Sequence, residues 1–464
     1  MFKRKIETTL LQWKAKEDRK PLVIKGCRQC GKTSSVLDFA KRNYANVVYL
    51  DFHEHKEYKA FFAGALDVDT LTLNISVGIQ GARFVPHETC IVLDEIQDCP
   101  NARASLKFFK LDGRYDVICT GSLLGVNGYK TKEEQEEEES ASIPVGFEQI
   151  VSMYPMDFEE WLWANGIEKM HIDYLRSCLQ NEKPVNEAVH QRMQQLLLRY
   201  VVVGGMPEAV TTFFDSNNMN EVFDVQHGII ETYKADMLKY ALLEDKPRIR
   251  ECFESIPAQL AKENKKFQIS KVASGARSRE YEGCVEWLEN AGMILRCSAL
   301  AFPELPIRGN EDLSRYKLYF HDTGLLVACL EDEVQGDLRA NRNLGVYKGA
   351  LYENFVASAL AAQDYPLCYY KRDVGSLEED FFVRNADSLI PVEVKACSNR
   401  AKALKTLIGS DRYPDISFGI KFGNANVGFA GRVLTMPWFC AFRLRETLKE
   451  FDPGKAEADS SIDT

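Results

Sequence analysis

The sequence predicts an α/β fold around a mostly parallel sheet, and three stretches carry that prediction. Leu22-Val23-Ile24 is a short apolar run that leads through Gly26 to Thr33 into a helical pattern over Ser34 to Tyr44, with Val36, Leu37, Phe39 and Ala40 apolar. Cys90 to Leu93 is an unbroken apolar run closed by two acids, Asp94 and Glu95. Continuous hydrophobicity of this kind marks a strand covered on both faces, as in parallel sheets. Tyr115 to Thr120 is a third such run and ends in Gly121-Ser122. Strand signals at Val47–Asp51 and Gln149–Tyr154, spaced by helical stretches, complete the pattern.

The first stretch reads Gly26-Cys27-Arg28-Gln29-Cys30-Gly31-Lys32-Thr33, the spacing GxxxxGK[ST]. Between a strand and a helix start, free backbone N–H groups and the helix dipole bind phosphate. All eight residues are expected to contact ATP, with Lys32 reaching the β/γ-phosphates and Thr33 offering its hydroxyl to Mg²⁺. The competing reading, a glycine turn that happens to end in Lys-Thr, is weakened by the acid-terminated strand. Its acids emerge at the carboxyl end of the sheet, where ligands of open α/β sheets bind. Asp94 suits a role toward Mg²⁺ through water, and Glu95 suits activation of the attacking water. If Tyr115–Thr120 joins the same sheet, Ser122 or Thr120 lies beside those acids and could sense the γ-phosphate. A Thr-Gly-Ser turn after a strand is also common without function.

A length of 464 residues allows two to four domains. Apolar and charged fractions of 45% and 27% argue for a globular chain rather than a disordered one. The N-terminus is charged, and Phe2, Ile6, Leu10 and Trp13 fit one helical face rather than a signal-peptide core. No window approaches 18 uncharged apolar residues, so no membrane partner is expected. Thirteen scattered cysteines suggest reduced thiols and a cytoplasmic location. Cys27 and Cys30 form a CxxC inside the phosphate loop, which reads as filler rather than zinc or redox chemistry. The net charge of −10 argues against a broad basic surface for nucleic acid, though not against a local one. Much of the excess sits in the Glu133 to Glu139 run, read as a mobile loop.

The expected organisation is an ATPase core over 1–156, a helical lid over 157–244, a winged-helix domain over 245–338, a second α/β domain over 339–451 and a disordered tail over 452–464. Asp157 and Glu160 form a capping box at the start of the lid, and Gly204-Gly205-Met206-Pro207 breaks it. Short helices at Ile256–Ala261 and Ser270–Ala273, a longer one at Arg279–Ala291, and strands at Met293–Cys297 and Tyr316–Phe320 describe the winged helix. Between Lys262 and Arg279 lie Lys262, Lys265, Lys266, Lys271, Arg277 and Arg279 against one acid, Glu263. They form either a phosphate-contacting face or an ordinary solvated surface.

In the last domain, Gly349 to Gln363 is expected to be a helix carrying Glu353. Glu379–Val383 and Leu389–Lys395 are expected to be strands joined by a turn. Period-two alternation puts Glu393 and Lys395 on one face, and pairing would bring Asp380 beside Glu393. Two carboxylates, a lysine and a helical Glu353 make up the metal-site set of a PD-(D/E)XK nuclease core. Asp380 and Glu393 would hold Mg²⁺, and Lys395 would steady the attacking water or the pentavalent phosphate. A hairpin with solvated charges is the alternative.

Taken together, the chain resembles a family of prokaryotic ATPases that join an AAA-type ATPase domain to a C-terminal restriction-endonuclease-like domain of unknown function. The likeness is carried by Gly26–Thr33, Ile91–Asp98, Thr120-Gly121-Ser122, Tyr154–Leu162, Gly204–Glu208, Tyr319–Leu326, Gly349–Val356 and Pro391–Lys395. It implies ATP and Mg²⁺ as cofactors and a winged-helix linker. Members often place Arg or Lys after the glycine where this chain has Phe147, so another arginine, Arg103 or Arg114, would have to substitute.

Three functions follow as alternatives. The first is an ATPase coupled to a nuclease-like domain acting on DNA or RNA. The second is a signalling or scaffold switch whose C-terminal fold only binds a partner. The third is an NTPase with a structural C-terminal domain. Completion of the ATP site by a neighbouring copy makes a homo-oligomer an expected partner.

Overall fold

The computed structural model describes residues 1–122, 146–241, 245–262, 264–281, 283–330, 336, 347–375, 377–386, 388–395 and 401–451. The Glu133–Glu139 run and the 452–464 tail lie outside these residues. The chain divides into two compact units. One comprises residues 1–155, 233–246 and 286–293, and the other 156–232, 247–285 and 294–464.

The first unit is built on five strands, β1 (Leu22–Gly26), β2 (Asn46–Asp51), β3 (Thr89–Asp94), β4 (Asp116–Ser122) and β5 (Gln149–Ser152). All are parallel, in the order β2-β3-β4-β1-β5. Both sheet faces are covered, which is why the strands read as continuous apolar runs. Val23, Leu50, Leu93 and Val117 face a core closed by Leu71, Ile75 and Leu106, while Leu22, Ile24, Val92 and Ile118 face Val36, Phe39 and Trp13. Trp13 belongs to the Ile6–Lys14 helix, whose buried face is Ile6, Leu10 and Trp13. Pro100 opens the helix after β3, where its missing N–H costs nothing, and Gly113 closes it at φ 74°.

β4 lies between β3 and β1, so the carboxyl ends of all three strands adjoin. Gly26 is level with Ser122, and Asp51 with Asp94. The phosphate-loop motif, the acid pair and the Thr-Gly-Ser segment, far apart in sequence, therefore leave the sheet at one edge.

The second unit begins with helices at Phe158–Ala164, Lys169–Gln180, Glu187–Val203 and Pro207–Ser216. The capping box forms: Asp157 accepts from Glu160 N at 2.9 Å, and Glu160 accepts from Asp157 N at 3.2 Å. The glycine pair has a steric reason. A Cβ on Gly204 would stand 2.2 Å from the Asp322 carboxylate, and one on Gly205 only 1.9 Å from Met156 O. Buried Asp322 accepts from Gly205 N at 2.6 Å and caps the Thr323–Ala328 helix through Leu325 N at 3.0 Å.

Two sheets complete this unit. One has the order β7-β6-β8-β9, from β6 (Ile294–Leu300), β7 (Glu311–Phe320), β8 (Cys368–Lys371) and β9 (Glu378–Glu379). The other has the order β10-β11-β12-β14-β13, from β10 (Phe381–Asn385), β11 (Ser388–Val394), β12 (Gly419–Gly423), β13 (Gly428–Ala430) and β14 (Val433–Pro437).

Several sequence expectations change. Ile256–Ala261 is the end of a longer Lys246–Leu260 helix, and Ser270–Ala273 is a single 3₁₀ turn at Ile269–Lys271. The helix expected at Arg279–Ala291 is a 3₁₀ turn, Ser278–Glu280, then a separate Cys284–Asn290 helix; Gly283, at φ 87°, separates them. The β6–β7 ribbon pairs onward with β8 instead of standing free as a wing. The strand expected at Glu379–Val383 divides at Asp380: Glu379 ends β9 in one sheet and Phe381 begins β10 in the other.

Candidate functional site

The loop from Cys27 to Gly31 passes directly from β1 into the Lys32–Asn43 helix. Gln29 and Gly31 take positive φ, 61° and 93°, which turns successive N–H groups toward the helix start. Gly26 has no room for a side chain, since a Cβ there would lie 2.2 Å from Met153 O. The Lys32 ammonium, buried, donates to Gly26 O at 3.1 Å and Cys27 O at 2.8 Å. It thus occupies the cradle that a phosphate would enter.

Asp94, 4% exposed, is the hub of the site. Its Oδ2 accepts from Thr33 Oγ1 at 2.8 Å and from Tyr49 OH at 2.9 Å. Its Oδ1 accepts from Thr120 Oγ1 and, at 3.1 Å, from Glu95 N. Burial, followed by the Asp94 charge, pushes the Tyr49 phenol far above its ordinary range, so it stays a donor. Glu95 sits at φ 50°, ψ 51°, a left-handed conformation that is costly for a residue with a Cβ. Gln97 Nε2 donates to its Oε2. Among the expected residues, Gly26–Thr33, Asp94 and Thr120 are brought together, with Glu95 next to them. Ser122 is placed by its backbone, level with Gly26.

The arginines expected to replace a basic residue at 147 are engaged elsewhere. Arg103 is held by Glu148 at 2.7 Å. Arg114 pairs with Asp112 and Asp69, and its carbonyl accepts from His87 N at the amino end of the sheet, away from the phosphate loop. Sequence reasoning missed Arg4, which donates to Cys30 O at 2.8 Å and Tyr154 O at 2.7 Å; Arg28, expected at the phosphate, pairs with Asp236 at 2.6 Å. It also missed Tyr49, although the Tyr-Leu-Asp end of β2 carried a signal, since β2 and β3 must end together if they pair.

The C-terminal candidates form a second cluster. Glu353, 2% exposed, accepts from Tyr319 OH at 2.5 Å, Lys317 Nζ at 3.1 Å and Lys265 Nζ. Burial alone would raise its carboxyl, but the two ammonium groups and these hydrogen bonds pull it down to about 2. Asp380 accepts from Val394 N at 2.9 Å and lies 3.8 Å from Lys317 Nζ. Burial, with the Glu353 charge, pushes it up to about 6. Glu393 pairs with Lys395 at 2.5 Å on one strand face, as the alternation requires. Glu379, which sequence reasoning did not single out, is buried with neither carboxylate oxygen hydrogen-bonded, and Glu393 Oε2 is likewise unpartnered. Burial and the Glu393 charge raise the Glu379 carboxyl well above its usual range. Among the described residues no three His, Cys, Asp or Glu side chains are arranged to hold a metal ion. No single described helix is long and apolar enough to cross a membrane.

Family comparisons divide the chain into three. Residues 18–162 match the AAA domain, 194–335 a domain of unknown function (DUF8612) and 348–440 another (DUF4143). No curated protein matches the chain. Among solved structures, it is similar to the Walker-type ATPase PABY2304 of Pyrococcus abyssi, at 15% identity and a TM-score of 0.41, over 71% of this chain and 96% of that one. It is also similar to the ORC1 protein of Aeropyrum pernix in complex with DNA, at 12% identity and a TM-score of 0.28, over 73% and 94% of the two chains. Residues 18–162, with the phosphate loop and the Asp94 hub at the carboxyl edge of a parallel sheet, form an AAA-type ATPase domain on a P-loop fold.

Proposed function

We propose that this chain is a Mg²⁺-dependent ATP-hydrolysing switch whose C-terminal domain binds a partner rather than cutting nucleic acid. The Thr33–Asp94–Thr120 arrangement carries the first half. Two hydroxyls and a carboxylate are hard oxygen donors within hydrogen-bond reach of one another, the donor set a Mg²⁺ ion accepts directly or through water. Bound there, Mg²⁺ would neutralise charge on the β/γ-phosphates. Lys32 would exchange its contacts with Gly26 O and Cys27 O for phosphate oxygens, and Glu95 would orient and deprotonate the attacking water. Thr120 or Ser122 would report whether the γ-phosphate is present. With Arg103 and Arg114 engaged elsewhere, a neighbouring copy would supply the arginine, which makes the active form a homo-oligomer.

Glu353 carries the second half. A carboxylate held by two lysines and a tyrosine is already neutralised, and it has no need of a cation. The nuclease reading draws its support from the unpartnered oxygens of Glu379 and Glu393. If it holds, exposed Lys262, Lys271, Arg277 and Arg279 would be the phosphate contacts for DNA or RNA. Incubating the full chain with ATP and Mn²⁺ against single- and double-stranded DNA and RNA separates the readings. Intact nucleic acid alongside measurable ATP turnover is expected. Cleavage that disappears in Asp380→Ala and Lys395→Ala would overturn the partner-binding reading.

A further inference from the structure

Cys27 and Cys30 are not inert filler. Both are buried, three residues apart in one core cluster at the phosphate loop. They sit where the loop must move. Cys27 O holds the Lys32 ammonium at 2.8 Å and Cys30 O holds Arg4 at 2.8 Å. Cys30 Sγ packs over Gly26, 3.2 Å from where a Cβ would stand, and 3.7 Å from Met153 O. Two cationic side chains and the N-terminus of the Lys32–Asn43 helix surround Cys30, the setting that stabilises a thiolate.

We propose that Cys27 and Cys30 are a peroxide-oxidisable pair whose disulfide locks the phosphate loop in its Lys32-capped form and closes it to nucleotide. The Cys30 thiolate attacks one oxygen of hydrogen peroxide, forming a sulfenic acid and releasing hydroxide. Cys27 then attacks the Cys30 sulfur, the S–S bond forms and a second hydroxide leaves. The two thiol protons complete two waters, and the peroxide takes up the two electrons the sulfurs lose. The neighbouring Cys27 thiol and the Lys32 and Arg4 charges favour the first step, holding the Cys30 thiol down to about 6 against the opposing effect of burial. The neighbouring Cys30, then burial, raises Cys27, so a thiol rather than a second thiolate faces the nucleophile. Because nucleotide and disulfide would compete for one loop, bound ATP must disfavour the disulfide at equilibrium by the same factor by which the disulfide weakens ATP binding.

The inference rests on the ATP-binding reading, and one experiment keeps the two apart. Full-length reduced protein is titrated with a fluorescent ATP analogue, then treated with hydrogen peroxide, quenched, titrated again and digested for peptide mapping. Expected are binding before oxidation, a 2 Da loss in the Cys27–Cys30 peptide, at least a tenfold rise in Kd, and recovery with dithiothreitol. Cys30→Ser should have the same Kd before and after peroxide, whatever that value is. Absence of binding by the reduced protein would overturn the ATP reading, while the mapped peptide would still report on the thiol pair. The switch is overturned if no Cys27–Cys30 bond forms, or if the mapped disulfide leaves Kd unchanged.

Discussion

Thr33 Oγ1 lies 2.8 Å from Asp94 Oδ2, although the residues belong to two motifs 61 positions apart. The meeting follows from strand order. β4 separates β1 from β3 but is level with both, so the helix start after β1 and the acid ending β3 converge at the same edge. Without a cation the hydroxyl donates to the carboxylate. With Mg²⁺ both oxygens would turn their lone pairs to the metal.

That geometry separates binding from hydrolysis. Lys32→Ala should lose nucleotide binding, since it removes the ammonium that the motif aims at the β/γ-phosphates. Glu95→Gln keeps shape and hydrogen bonding, so it should bind ATP with a Kd within about threefold of wild type and lose about a hundredfold or more in turnover. Calorimetry and steady-state phosphate release test the pair. Unchanged turnover in Glu95→Gln would remove Glu95 as the base.

Gly26→Ala tests the loop's packing rather than its chemistry. The new methyl would meet backbone, Met153 O, at 2.2 Å, so β1 and the segment after β5 would have to part. A loss of about 2 kcal/mol or more is expected from such overpacking. Urea unfolding reads it directly, and a change below about 0.5 kcal/mol would mean the two segments are not held together as described.

Much of the first unit was legible because parallel strands and a phosphate loop are local signals. Leu22–Gly26 and Thr89–Asp94 announce themselves by runs of apolar residues, and the loop by fixed spacing. The partners of that site were less legible. Arg4 reaches Cys30 O and Tyr154 O across the fold, which no periodicity encodes. In the second unit, pattern reasoning brought Asp380, Glu393 and Lys395 together in one cluster. It could not see that Lys265, in the basic 262–279 segment, and Lys317, just before the Tyr319–Leu326 segment, turn inward to Glu353. Nor could it see that the run at 379–383 changes sheets at Asp380.

Glu353 should be a structural pin. Its carboxylate is depressed to about 2, below its unfolded value, so the stability it contributes is full above about pH 5 and fades as the pH falls toward 2. Glu353→Gln leaves Lys265 and Lys317 without their shared countercharge and should cost about 3–5 kcal/mol at pH 7. Thermal unfolding at several pH values checks this. A variant that matches wild type at pH 7 would dismiss the pin.

Asp380 should behave in the opposite sense. Its carboxyl is raised to about 6, above its unfolded value near 3.8, so the fold favours the protonated form. The stability this lends is full below about pH 4 and is lost as the pH rises through 6. Asp380→Asn can still accept from Val394 N but has no proton to lose. Relative to wild type it should be neutral near pH 4 and more stable by about 2–3 kcal/mol above pH 7, the size a shift of about two units carries. The comparison is made in chelator, by denaturant unfolding across pH 4–8. A difference that does not grow with pH would mean the Asp380 charge is not under stress in the fold. Repeating it with Mg²⁺ adds a functional edge. If the ion raises the stability of wild type and not of Asp380→Asn, the acid cluster takes a cation and the nuclease reading regains ground. If Mg²⁺ moves neither through this unit, Asp380, Glu379 and Glu393 remain a buried polar cluster in a domain that binds its partner without metal.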